Sequence, residues 1–107
     1  MAGTVVSIRG NRWSASSWLF DWAVTTLATE VRDLELAAEL RGLVAENLGW
    51  LALADFSVAH RDEISRASRE SLVPKAEREL PPDLENREGV LEHLRLLVIT
   101  LEDHPNV

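Results

Sequence analysis

The chain contains no cysteine. Disulfides, zinc ribbons, iron–sulfur clusters and thiol nucleophiles are thereby excluded, a reducing compartment is permitted, and any metal would have to bind histidine and carboxylate. Positive charge is scarce as well: 11 Lys and Arg stand against 18 Asp and Glu, a formal net charge of −7. A surface of that sign repels phosphate backbones, which are held by clustered bases that displace counterions, so nucleic acid is not an expected partner. No run reaches the roughly 18 apolar residues that a membrane span requires, so no membrane association is expected. Arg9 and Arg12 precede a moderately apolar stretch, but Asp21 interrupts it and no small-x-small cleavage site follows, so a secretory leader is not expected either. The expected location is the cytoplasm. GxSxG, HExxH, GxGxxG and GxxxxGK patterns are all missing, as are internal repeats and low-complexity tracts.

What the chain does have fits one globular domain over residues 1–107. Its 46% hydrophobic and 27% charged content lies in the folded range, and a chain of this size buries about two-thirds of its unfolded surface in a single core. Arginine outnumbers lysine, of which Lys75 is the sole example, as expected of a GC-rich bacterial gene. The acidity is uneven. Residues 1–32 hold Asp21 and Glu30 against Arg9, Arg12 and Arg32, so the whole excess of acid falls in residues 33–107. Opposite fields speed encounter, which favours a basic protein as partner.

Of the four tryptophans, Trp13, Trp18 and Trp22 fall within ten residues. They follow a short β-like run in which Val5, Val6 and Ile8 are β-branched and Gly10-Asn11 signals a turn, so residues 4–8 read as a strand within an N-terminal strand or arm over 1–12. A lone strand must find a partner: another strand, a helix, or a second copy of the chain. Ser14 is the expected N-cap of a helix over 14–32, with a stripe of Phe20, Ala23, Val24, Leu27 and Val31 widened by Trp18, Leu19 and Trp22. Asp33 is the expected cap of a second helix over 33–47, with Leu36, Leu40, Leu43 and Val44 inward and Glu35, Glu39 and Glu46 outward. Gly49 permits a bend into a third helix over 50–71 carrying Leu53, Phe56, His60, Ile64 and Ala67. Pro74 suits the start of a further short turn or helix that Pro81-Pro82 ends. Val90, Leu91, Leu94, Leu97, Val98 and Leu101 mark a last helix over 86–103. The expected fold is mainly α, an irregular four-helix bundle with a short N-terminal β-strand or extended arm. The alternative is an α+β fold with a two-stranded sheet formed by residues 4–8 and 95–101, because Val98-Ile99-Thr100 is also β-like.

Candidate chemistry is sparse. His60 and Glu63, spaced i,i+3, could share a metal with His93, Glu92 or Asp55. Their order is the reverse of the Glu-x-x-His of di-iron bundles, and a packed histidine is the commoner outcome, so no metal and no other cofactor is expected. Asp21 beside Trp18 and Trp22 is the one carboxylate on an apolar face. A structural hydrogen bond to Arg9, Arg12 or an indole N–H accounts for it, and no catalytic residue is assigned. Asp62–Arg66 and Arg66–Glu70 read as i,i+4 pairs on a solvated face. His93 and His104 are placed near the C-terminal helix end, where a cation suits the dipole.

These features favour a non-catalytic protein-binding module, a small acidic protein of the inhibitor or immunity type that neutralises a basic partner. Its expected contacts are Trp13, Trp50, Glu35, Glu39, Glu46, Asp62 and Glu63. A second reading is a homodimer or larger homo-oligomer serving as a structural or scaffold subunit, built through the strand over 4–8 and the Trp13–Trp22 face. A third is a small-molecule-binding helical domain, with a pocket between the first and last helices lined by Trp18, Trp22 and Leu97 and anchored by Asp21.

Overall fold

The computed structural model describes residues 2–102, which form strands β1 (Ala2–Val6), β2 (Arg12–Ser16) and β3 (Trp50–Ala52) and helices α1 (Ser17–Glu30), α2 (Leu34–Ala45), α3 (Val58–Glu79) and α4 (Arg87–Leu101). A single 3₁₀ turn, Leu53–Asp55, joins β3 to α3. The three strands make one mixed sheet of order β2-β1-β3, antiparallel between β1 and β2 and parallel between β1 and β3. The fold is mainly helical, four helices with this small sheet beside them, and the expected N-terminal strand is the sheet's central member. α1 is the hub, packing on α2, α3 and the sheet, while α4 packs on α3 and β2.

The N-terminal strand finds both partners within its own chain. Residues 95–101, the partner offered by the α+β alternative, are helical, and their apolar residues explain why. Leu91, Leu94, Leu97 and Leu101 recur at helical spacing and are all buried, which outweighs the β-like Val98-Ile99-Thr100 triplet. The end of the expected last helix, at Asp103, and His104 lie outside the described residues. With both edges of β1 already paired, self-association through that strand has no edge to use.

Alternation along the strands sorts their side chains into two faces. Trp13, Val5 and Leu51 are aligned across the sheet and are all buried against the helices. The opposite face carries the rows Ser14–Thr4–Trp50 and Arg12–Val6–Ala52. Gly3 lies on the inner face, where a Cβ would stand 2.1 Å from Cγ of Phe20, so the ring of α1 occupies the space a side chain would need. The core continues through Leu19, Phe20, Leu27, Leu36, Leu40, Ile64 and Leu72.

Three expected boundaries move. Ser14 is a strand residue whose hydroxyl lies 3.2 Å from that of Thr4, so it caps no helix, and α1 begins at Ser17. Trp50 opens β3 in place of a helix. α2 ends in a Schellman motif, with Leu48 N–H bonded to Leu43 C=O and Asn47 N–H to Val44 C=O while Asn47 takes φ 54°. Gly49 at φ 64° then redirects the chain beside β1. α3 therefore starts late, at Val58, where the Ser57 hydroxyl accepts from His60 N–H. It then runs without a break through Pro74 to Glu79. Pro74 is exposed while Leu72 and Ala76 flanking it are buried, so the helix is held on its core side and the lost N–H bond falls toward water. Asp33 caps α2 as expected, accepting from the amides of Glu35 and Leu36.

Candidate functional site

Two concave surfaces gather five of the residues singled out from the sequence, Glu39 and Trp50 in one and Trp18, Asp21 and Trp22 in the other. The first lies between α2, β3 and the 3₁₀ turn, a cavity of about 140 Å³ lined by Glu39, Leu43, Trp50, Asp55 and Phe56 over the buried Leu51. α2 supplies Glu39 and Leu43 because they are i,i+4 on the same helix surface; Glu35 is exposed on that helix and Glu46 is exposed at its C-cap. β3 supplies Trp50, which faces outward and keeps 42% of its surface in solvent. The Arg12 guanidinium reaches diagonally across β1 to within 5.7 Å of the Trp50 ring centroid, a cation–π contact that steadies the indole at the groove edge. Glu39 and Asp55 have no ion-pair or hydrogen-bond partner for their carboxylates among the described residues. Two unneutralised acids thus flank an aromatic ring in a concavity.

The second surface is a groove of about 410 Å³ where α1 meets the C-terminal half of α3, lined by Trp18, Asp21, Trp22, Thr25, Lys75 and Glu79. Trp18, Asp21, Trp22 and Thr25 lie on one stripe of α1, at i, i+3, i+4 and i+7, with Trp18 and Thr25 exposed and Asp21 and Trp22 half-buried. Trp18 is 48% exposed and forms a ridge, since it also lines a shallow 560 Å³ depression on its other side, toward Asn86 and His93.

The remaining expected residues are placed elsewhere. Trp13 is 3% exposed and is no contact for a partner: its indole N–H donates to His93 C=O at 2.8 Å, and its ring stacks on the His93 ring with centroids 4.8 Å apart. Burial of so large an aromatic is paid with one hydrogen bond to the indole, the usual arrangement for a core tryptophan. His93 is not at the end of its helix but in the first half of α4, where Nε2–H donates to Ser14 C=O at 2.6 Å and so covers the outer edge of β2. Leu97 is buried in the core and takes no part in the Trp18 groove, which α3 closes instead of α4.

Glu63 is also removed from the contact surface. It receives the Arg66 guanidinium at 2.7 and 2.9 Å and the Arg32 amide, and those donors hold its carboxyl down at about 2. Arg66 further reaches Glu70 and the carbonyl of Glu30, so this group locks α3 to the end of α1. The expected Asp62–Arg66 pair is replaced by Arg66–Glu63, and Asp62 stays exposed on α3 outside both grooves. His60 faces the Asp33 carboxylate at 3.2 Å, a contact that, after the Leu36 amide, helps keep Asp33 below the usual carboxylate range. His60 and Glu63 thus serve different partners, and among the described residues no group of three or more His, Asp or Glu is placed to hold a metal ion. No helix among those residues is long and apolar enough to cross a membrane.

Sequence reasoning missed Asp55 and Phe56 as neighbours of Trp50, and Lys75 and Glu79 as neighbours of Trp22. The first pair had a local signal, because Asn47 and Gly49 both favour positive φ and so mark a reversal before Trp50. The second pair had none, since it depends on how two helices distant in sequence pack. Comparison with protein-family models, curated proteins and solved structures gives no match that would carry a function or a fold name to this chain.

Proposed function

We propose that this protein is a non-catalytic binding module that captures and neutralises a basic protein partner, as small acidic inhibitors and immunity proteins do, through the groove between α2 and β3. The observation that carries this reading is Trp50, exposed and concave-set between the unpaired carboxylates of Glu39 and Asp55. A tryptophan anchor with acids at its rim suits insertion of an arginine or lysine side chain, whose stem packs on Trp50 and Leu43 while its charge meets the acids. The exposed Glu35 and Glu46 extend the negative field along α2, and the net charge of −7 steers a basic protein toward it.

The test is position-specific cross-linking in the native host. A photoreactive residue at position 50 is expected to trap a protein of high isoelectric point, with the yield lost in a Glu39→Lys/Asp55→Lys background and the trapped protein's activity inhibited by the purified wild-type chain. No cross-link from position 50, or one insensitive to the two charge reversals, rejects the reading.

A further inference from the structure

We infer that the groove between α1 and α3 is a second, separate site, built to hold a small organic ammonium compound with an apolar body. Four observations converge on this chemistry. The groove volume, about 410 Å³, is in the range of small-molecule sites. Two indoles, Trp18 and Trp22, stand one helical turn apart along its wall, and indole is the aromatic ring that attracts cations best. Its charges do not cancel: Asp21 and Glu79 are opposed by Lys75 alone, and the Lys75 ammonium is 3.8 Å from Glu79. Asp21 is left with no ion-pair or hydrogen-bond partner for its carboxylate among the described residues, although it is half-buried beside both rings.

The groove's two acids exceed its one base, so the counter-charge it lacks is one positive unit. A ligand carrying a single ammonium group supplies it. The same ligand's apolar part would cover Trp18, whose 48% exposure is large for an aromatic next to the core. Anions are disfavoured by the net negative charge of the groove, and a neutral apolar molecule would leave Asp21 as it is. The site shares no residue with the α2–β3 groove, so it stands or falls independently of the partner reading.

The probe is choline, with its uncharged isostere 3,3-dimethylbutan-1-ol as control, titrated at constant ionic strength while tryptophan fluorescence and the indole N–H resonances are followed. Choline is expected to give a saturable change centred on Trp18 and Trp22, and the isostere none. Asp21→Asn should weaken choline binding about tenfold, whereas Lys75→Gln, which releases Glu79, should strengthen it by a few-fold. Trp50→Ala should leave the response intact. The inference is overturned if choline gives no saturable change up to about 100 mM, if the isostere responds equally, if Asp21→Asn binds like wild type, or if Lys75→Gln abolishes binding. Thermal denaturation of each variant confirms that it is folded, and Asp21→Asn is expected to melt like wild type because Asp21 makes no hydrogen bond or ion pair among the described residues.

Discussion

Trp13 and Trp50 occupy the two edge strands of one three-stranded sheet and point to opposite sides of it. Trp13 is sealed under α4, hydrogen-bonded and stacked on His93, whereas Trp50 lies on the open face with only the Arg12 guanidinium over its ring. One residue type therefore does two jobs, and strand parity decides which. Odd positions 3, 5, 13 and 51 face the helices and carry stability; even positions 4, 12, 14 and 50 face away and are open to other molecules.

Substitutions on the two faces should separate these roles. The largest effect is expected from Trp13→Ala, which empties a core position and removes both the indole bond to the His93 carbonyl and the stacking on the His93 ring, at a cost of about 3–5 kcal/mol in chemical denaturation. Gly3→Ala should follow at about 1–3 kcal/mol, because the new methyl overlaps Phe20 and either the ring or β1 must move. An unchanged denaturation midpoint for Gly3→Ala would mean that the inner face is loosely packed, and the contrast between faces would lose its basis. Trp50→Ala should cost least, about 1–2 kcal/mol, since 42% of its surface already lies in solvent and its indole N–H makes no hydrogen bond among the described residues. A Trp50 loss as large as that of Trp13 would make the outer indole structural and remove the main support for a docking role.

The helices were largely readable from their residues. Asp33 has the acceptor geometry its position announced, and the Leu91–Leu101 stripe is buried as its spacing requires. The sheet was not, for a physical reason particular to each strand. Arg12-Trp13-Ser14-Ala15-Ser16 lacks any β-branched residue, and its serines are ordinary N-cap residues, so only pairing with β1 makes it a strand. β3 has three residues and sits where an apolar helical period continues unbroken into Leu53 and Phe56. Pro74 misled in the opposite direction, since proline's usual helix-breaking role yields when the ring faces solvent and the opposite side of the helix is pinned in the core.

Site residues were legible where one helix carries them. Trp18, Asp21 and Trp22 came together because i, i+3 and i+4 positions must. Leu97 and Trp13 did not join them, because exposure depends on which helix covers which face. That is a property of the packed molecule, settled by α3 rather than α4 lying beside the Trp18 stripe.

The parallel pairing of β1 with β3 sets a timetable for making the molecule. The central strand leaves the ribosome before either of its partners, and its second partner is specified only when Trp50–Ala52 appear, after α1 and α2 have been synthesised. Until then the β1–β2 hairpin exposes one unsatisfied edge, and closing it requires a contact spanning nearly half the chain. The sheet is thus complete only once the reversal at Asn47 and Gly49 has brought β3 beside β1, and the docking of α4 on β2, through the contacts of Trp13 and Ser14 with His93, comes later still.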